Sequence, residues 1–159
     1  AFYNVAIIEG SSRYGASCHH LDNGFDTGDL VKVRYFPIDS EVETALTLER
    51  QTQLEMLLLF DEFMELAESG KPLPRIPQDQ KRHRYLKLEE FERLKIIDPS
   101  MPNDEIQRIA RAFWFPPYNC AYLRLANGKQ VQIIPDQALD SVGEVLHTDD
   151  YTRLKAFSS

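Results

Sequence analysis

Apolar positions recur along the chain in several rhythms, and each predicts an element. Residues 2–9 are apolar at most positions and stop at Gly10, which predicts the last turns of a buried helix with a glycine just past its end. The run "YGASCHHL" predicts a strand. "DLVKVRYFPI", with Leu30, Val31, Val33, Tyr35, Phe36 and Ile38, predicts the returning strand, and the Asp and Gly cluster at 22–29 the turn between them. Ser40 and Glu43 have capping-box spacing, so a long helix is expected to start there. Its predicted apolar face is Val42, Leu46, Leu54, Leu57, Leu58, Phe60 and Met64, and its end is Gly70, before Pro72. "GKPLPRIPQDQKRHRY" has no apolar period and predicts a surface loop. A short helix is expected over 88–94. A further helix in "PNDEIQRIARAFWF" is opened by Asn103 or Asp104 and closed by Pro116 and Pro117. In "AYLRLANGKQVQII" two alternating runs flank Asn127-Gly128, a pair that tolerates the positive φ of tight hairpins. From Pro135 onward the pattern is weak, and no internal repeat is visible.

Composition narrows the class. A chain of 159 residues can hold one body with a real core, with a small appendage at most. The apolar fraction of 43% and charged fraction of 27% are those of an ordinary globular protein. A formal charge of −7 argues against a nucleic-acid partner, because such a binder must replace counterions with Lys and Arg. Cys18 and Cys120 lie too far apart for a metal knuckle and are expected as reduced thiols of a cytoplasmic protein. No run approaches the length of about 18 apolar residues that a membrane span needs, and the first residues carry no basic leader.

The stretch "CHHLDNGFDTGDLV" is where chemistry is expected. Asp and Gly gather in turns for purely structural reasons, so a plain turn is one explanation. A calcium loop fails, because Gly24 stands where a second oxygen ligand belongs and no glutamate closes the loop. His19 and His20 would need further ligands to hold zinc, and no metal is expected. A carboxylate presented at a strand end for acid–base work is the third possibility.

In "GASCHHLDNGFDTGD" the positions Gly15, His19, Asp22, Gly24, Asp26, Thr27 and Gly28 resemble the strand-end pattern "G-V-T-x-H-x-x-D-x-G-x-D-T-G" of the 10-formyltetrahydrofolate-dependent formyltransferases, with Ser17 in place of threonine. "NVAIIEG", "YFPI", "ESGKPLPRIPQ" and "RAFWFPPYNCAY" resemble further elements of that family in order, the last those of the sugar N-formyltransferases. The resemblance spans about residues 1–134. It implies an α/β chain: the C-terminal part of a formyltransferase-type Rossmann-like fold, with strands, one long helix and a small C-terminal β-hairpin appendage. Residues 1–99 would be the C-terminal portion of the catalytic domain and 100–159 a small helix-plus-hairpin subdomain.

The resemblance also implies roles. Asp26 would handle the proton of an attacking amine, and His19, Asp22, Gly24, Thr27 and Gly28 would line the folate side, the glycines letting the backbone approach 10-formyltetrahydrofolate closely. Nothing resembles the family's upstream "N-x-H-P-S-x-L-P" segment, so the chain is expected to be the C-terminal portion of a longer enzyme, with little catalytic power alone. Trp114, Phe115 and Tyr118, beside rigid prolines, form either core or a stacking surface for a nucleobase. Cys120 stands where the family usually has glycine. Arg84, in a basic cluster with Lys81, Arg82 and Lys87, is either solvated or a phosphate contact. The preferred acceptor is a nucleotide-linked amino sugar, as in lipopolysaccharide or glycan biosynthesis, since the basic C-terminal barrel of the methionyl-tRNA enzymes is missing. A homodimer through the C-terminal hairpin, no nucleic acid and no membrane complete the expectation. The alternatives are a methionyl-tRNA formyltransferase-like enzyme and an inactive binding or scaffold remnant of the fold.

Overall fold

The computed structural model describes residues 2–79 and 85–138. Helix α1 (Tyr3–Ile8) is followed by strands β1 (Arg13–His19) and β2 (Leu30–Pro37), then the long helix α2 (Ala45–Glu68). Helix α3 (Leu88–Arg93), strand β3 (Ile96–Ile97), helix α4 (Asn103–Ala112) and strands β4 (Tyr122–Arg124) and β5 (Gln130–Gln132) complete the order.

Helix α1 stops as its glycine predicts. Gly10 takes φ +66°, and the Gly10 and Ser11 N–H groups donate to Ile7 and Ala6 at 3.1 and 2.9 Å, satisfying carbonyls the helix end leaves free. The chain then pairs β1 with β2 antiparallel, from Arg13 opposite Pro37 to His19 opposite Leu30, with a register shift between Cys18 and His19. Lys32 and Arg34 of β2 reach α2 and form an ionic network: Lys32 Nζ to Glu62 at 2.7 Å, Arg34 to Glu55 at 2.5 Å and to Glu62 at 2.6 Å. Helix α2 therefore lies along the hairpin with its later turns beside the start of β2.

Two expectations for α2 are corrected. Its cap is Thr44, whose N–H donates to Thr47 Oγ1 at 2.9 Å while Thr47 N–H donates to Thr44 Oγ1 at 3.1 Å. Ser40 instead sits in the turn closed by Val42 and Glu43 N–H on the Asp39 carbonyl. Thr47 provides the reciprocal hydroxyl, a pairing that a search for Glu or Gln at the third position does not find. The buried face is Ala45, Leu46, Leu48, Thr52 and Leu59, whereas Val42, Leu54, Leu57, Leu58, Phe60 and Met64 are exposed. The helix is apolar on more than one face, and its contact with the hairpin selects one.

The core gathers Ile7, Phe36, Ile38, Ala45 and Leu48 with Ile97, Ala112, Phe113 and Ala121. The segments before and after residue 99 thus contribute to one cluster. Strand β3, which the apolar pattern does not predict, pairs parallel with β4, and β4 pairs antiparallel with β5, so the hairpin is tied to the body. At its turn only Gly128 is left-handed, at φ +80°, and its N–H donates to the Leu125 carbonyl at 2.9 Å. Asn127 helps differently: its Oδ1 accepts from Lys129 N–H at 3.0 Å. Helix α4 ends at Ala112, ahead of the prolines, and Asn4 of α1 donates to its last carbonyl at 2.5 Å. No helix among the described residues is long and apolar enough to cross a membrane.

Candidate active site

The loop 20–29 leaves β1 and returns to β2 with its base closed by the His20 N–H on the Asp29 carbonyl at 2.8 Å. Inside it, the Asp22 carboxylate accepts from Gly24 N–H at 2.9 Å and from the Thr27 hydroxyl at 2.7 and 2.9 Å. Asp22 is therefore the organiser of the loop. Both flanking glycines are explained by space. A Cβ at Gly24 would overlap the Thr27 hydroxyl, and one at Gly28 would overlap the His20 carbonyl oxygen. Close approach of the loop to itself is by itself enough to require glycine at both positions.

Asp26 occupies the apex in the left-handed region, at φ +53°, a conformation Asp tolerates better than most residues because its short polar side chain is accommodated there. Its side chain is 84% exposed, and Oδ1 lies 3.4 Å from His19 Nε2. His19 Nδ1 is 3.0 Å from the His20 carbonyl, which can only accept, so Nδ1 carries the proton. In the neutral ring Nε2 is then a base directed at Asp26. Imidazole and carboxylate can share one proton at the loop's tip.

The Thr27 hydroxyl and the Gly24 N–H hold the Asp22 carboxyl below its usual range, with the imidazole of His19 adding to the effect. A carboxylate with a lowered folded-state pKa contributes order that is complete above its ordinary value of 3.8 and lost as the pH falls through the lowered value. In an NMR titration the Asp22 carboxyl is expected to titrate below a free aspartate, with the Gly24 and Thr27 amide shifts following it. A midpoint at or above 3.8 would contradict the organising role.

The connector after α2, expected as a plain surface loop, closes on this turn. Ile76 and Leu30 exchange two backbone hydrogen bonds, at 2.8 and 3.0 Å. His20 Nε2 donates to the Pro74 carbonyl at 2.8 Å, Arg75 lies 3.5 Å from Asp29, and Gln78 donates to the carbonyls of Asp26 and Gly28. No local pattern in the sequence marks Gln78, whose partners lie about fifty positions away. Leu21 and Phe25 of the loop 20–29 are each 94% exposed.

The aromatic candidates divide. Phe115 and Tyr118, with ring centroids 5.7 Å apart, line a cavity of about 420 Å³ together with Tyr3, Asn4, Ala45, Phe91, Lys95, Phe113 and Asn119. Lys95 Nζ lies over the Phe91 and Phe113 rings at 5.2 and 5.9 Å and pairs with Glu92 at 2.7 Å. Trp114 is corrected to a core position: it is 6% exposed, packs with Leu46, Cys120 and Ala138, and does not line the cavity. Both follow the end of α4: Trp114 is buried in the core, while Phe115 packs against the same cluster and also lines the cavity. Cys120, in place of the family's usual glycine, fills the space beside that indole, and burial raises its thiol pKa. Arg84, Lys81 and Arg82 lie outside the described residues. Among the described residues no group of His, Cys, Asp and Glu is gathered to hold a metal.

No family model matches the chain. It is 30% identical over 120 residues to a GDP-perosamine N-formyltransferase of Brucella melitensis, which covers 75% of this chain and 44% of that protein. A methionyl-tRNA formyltransferase of Lachnospira eligens is 25% identical over 142 residues, 88% of this chain and 42% of the relative. Among solved structures, a 4-N formyltransferase from Francisella tularensis matches with a TM-score of 0.71 at 21% identity, over 83% of this chain and 54% of that one. An N-formyltransferase from Helicobacter canadensis, in complex with folinic acid and dTDP-3-aminofucose, matches with a TM-score of 0.65 at 22% identity, over 78% of this chain and 45% of that one. The chain spans less than half the length of the curated relatives it matches, and its fold corresponds to the C-terminal part of the formyltransferase Rossmann-like fold. With a hairpin that ends in an Asp-Thr-Gly loop and a long helix laid along it, the chain is similar to the formyltransferases, the sugar N-formyltransferases among them.

Proposed function

We propose that this chain takes part in transferring a formyl group from 10-formyltetrahydrofolate to the amine of a nucleotide-linked amino sugar, with Asp26 as the catalytic carboxylate. The observation that carries the proposal is the built loop that holds an exposed carboxylate against an imidazole base. In the reaction a bond forms between the amine nitrogen and the formyl carbon, and the bond from that carbon to the folate nitrogen breaks. One proton leaves the attacking nitrogen and one reaches the departing folate nitrogen. The Asp26 and His19 pair can take the first, directly or through water, and hand on the second. Leu21 and Phe25 are exposed apolar side chains of the same loop on which the flat rings of a folate can pack. The Helicobacter neighbour is described with folinic acid, a formylated folate, which supports the choice of donor.

For the acceptor, the cavity at Phe115 and Tyr118 suits a nucleobase stacked on rings, with Lys95 beside it as a cation for a phosphate. Tyr3 of that cavity packs on Tyr14, with ring centroids 5.5 Å apart, and Tyr14 is five residues before His19 on β1. At about 3.3 Å per residue the two ends lie roughly 17 Å apart along the strand, a separation that calls for an extended acceptor with base at one end and amine at the other. The neighbour complexed with dTDP-3-aminofucose and the GDP-perosamine relative support that class. Strand β5 at the sheet's outer edge, with Val131 on it and Ile134 just after it exposed, is the contact we assign to a homodimer in the cytoplasm.

The test is to mix the protein with 10-formyltetrahydrofolate and a panel of dTDP- and GDP-linked amino sugars and follow tetrahydrofolate. Release that depends on one amino sugar is expected of the complete product of its gene, with little from this chain alone. Release at the rate of buffer alone, for both this chain and the complete product of its gene, would overturn the enzyme reading in favour of a binding remnant.

A further inference from the structure

We propose that Gln78 is the positioning residue of the Asp26 loop, its single carboxamide nitrogen locking the carboxylate's backbone in the left-handed conformation that faces it toward His19. The inference rests on the proposed role of Asp26 and adds the residue that sets its geometry. The Gln78 nitrogen lies 2.9 Å from the Asp26 carbonyl oxygen and 2.6 Å from that of Gly28. A primary amide has two protons, and two carbonyls can only accept, so both protons are committed and the orientation of the amide follows from chemistry. The two acceptors are the carbonyls on either side of Thr27, immediately after the residue with φ +53°. The hydrogen bonds made by Asp22 reach Gly24 and Thr27 and do not touch the Asp26 peptide, so the apex depends on a group from outside the loop.

Gln78 arrives already placed. Ile76, two residues earlier, is bridged to Leu30 by two backbone hydrogen bonds, and Pro77 between them restricts the backbone. The His20 side chain anchors the same segment through the Pro74 carbonyl. Little conformational freedom is left for the glutamine to lose when it closes on the loop.

The experiment compares Gln78→Ala and the isosteric Gln78→Glu with the unaltered 159-residue chain by NMR. The Asp26 α- and β-carbon shifts report the sign of φ, and the His19 ring nitrogens report the neighbouring carboxylate. In both variants the Asp26 shifts are expected to move to averaged values and the His19 Nε2 signal to move with them, while the Leu30 and Ile76 amides keep their protection. Glutamate matters most here, because it fills the same volume yet presents a carboxylate to two carbonyls. Unchanged Asp26 and His19 signals in Gln78→Glu would overturn the proposal, as would full transfer activity in that variant. If formyl transfer is measurable, kcat is expected to fall at least tenfold with KM for 10-formyltetrahydrofolate within twofold. If the signals move but the unaltered protein transfers no formyl group, the functional reading fails and the lock stands.

Discussion

Asp26→Asn is expected to lower formyl transfer by about 10²–10⁴-fold, the range for removal of a positioned acid–base group, which corresponds to about 3–5 kcal/mol of barrier. Asparagine has nearly the same volume, is among the few side chains that tolerate positive φ, and keeps an oxygen for His19 to face. What it lacks is an atom that accepts the amine's proton. Because the Asp26 side chain is exposed, stability should change by no more than about 0.5 kcal/mol, so lost rate cannot be ascribed to unfolding. Asp26→Ala would mix lost chemistry with strain at φ +53° and is the weaker test. A rate in Asp26→Asn within threefold of the unaltered protein, with the loop intact, would remove Asp26 from the catalytic role.

The second large effect concerns the helix that carries the hairpin. Leu48→Ala is expected to cost about 2–5 kcal/mol, the sum of lost transfer energy and a cavity that close-packed neighbours fill only partly. Leu48 is 0% exposed and belongs to the cluster with Ile7 of α1, Phe36 of β2 and Phe113 just past α4, so two helices, a strand and the end of a third helix share the core it helps fill. Leu57→Ala on the same helix is the control: at 63% exposed it should change stability by no more than about 0.5 kcal/mol. Denaturant unfolding of both variants measures the contrast. Equal losses would mean that the outer face of α2 is covered in solution; a loss under about 1 kcal/mol for Leu48→Ala would mean that the core closes over the gap.

That contrast shows where pattern reasoning reached its limit. The 3.6-residue period in α2 is real, yet the helix carries apolar residues around most of its circumference, and periodicity alone could not decide which stripe the hairpin covers. Leu57 and Leu48 look alike until β1 and β2 are laid beside them. The cap shows the same thing on a smaller scale. Ser40 and Glu43 have the spacing of a capping box, but the turn on Asp39 uses those residues first and passes the cap to Thr44 and Thr47. Trp114 and Phe115, neighbours in one aromatic run, part company past the end of α4, where one is buried in the core and the other also lines the cavity.

The Asp-Thr-Gly loop was legible for the opposite reason. Its carboxylate, hydroxyl and glycines meet their partners within residues 20–28, so their spacing carries most of their geometry. Gln78 was not legible, since its partners Asp26 and Gly28 lie about fifty positions away and no local rule joins a proline-rich connector to a turn.

By itself the sequence determined what short-range forces settle: the glycine stop of α1, the two strands and their turn, the glycine that follows the end of the long helix, and the residues of the acidic loop. Hydrogen bonds and steric exclusions between near neighbours are the same whatever the rest of the chain does. Only the tertiary structure decided which face of α2 is inside, which aromatic lines the cavity, that β3 ties the hairpin to the body, and that Gln78 closes over Asp26. Each of those depends on surfaces brought together from distant parts of the chain, where burial and hydrogen-bond partners are set by the packing of whole elements.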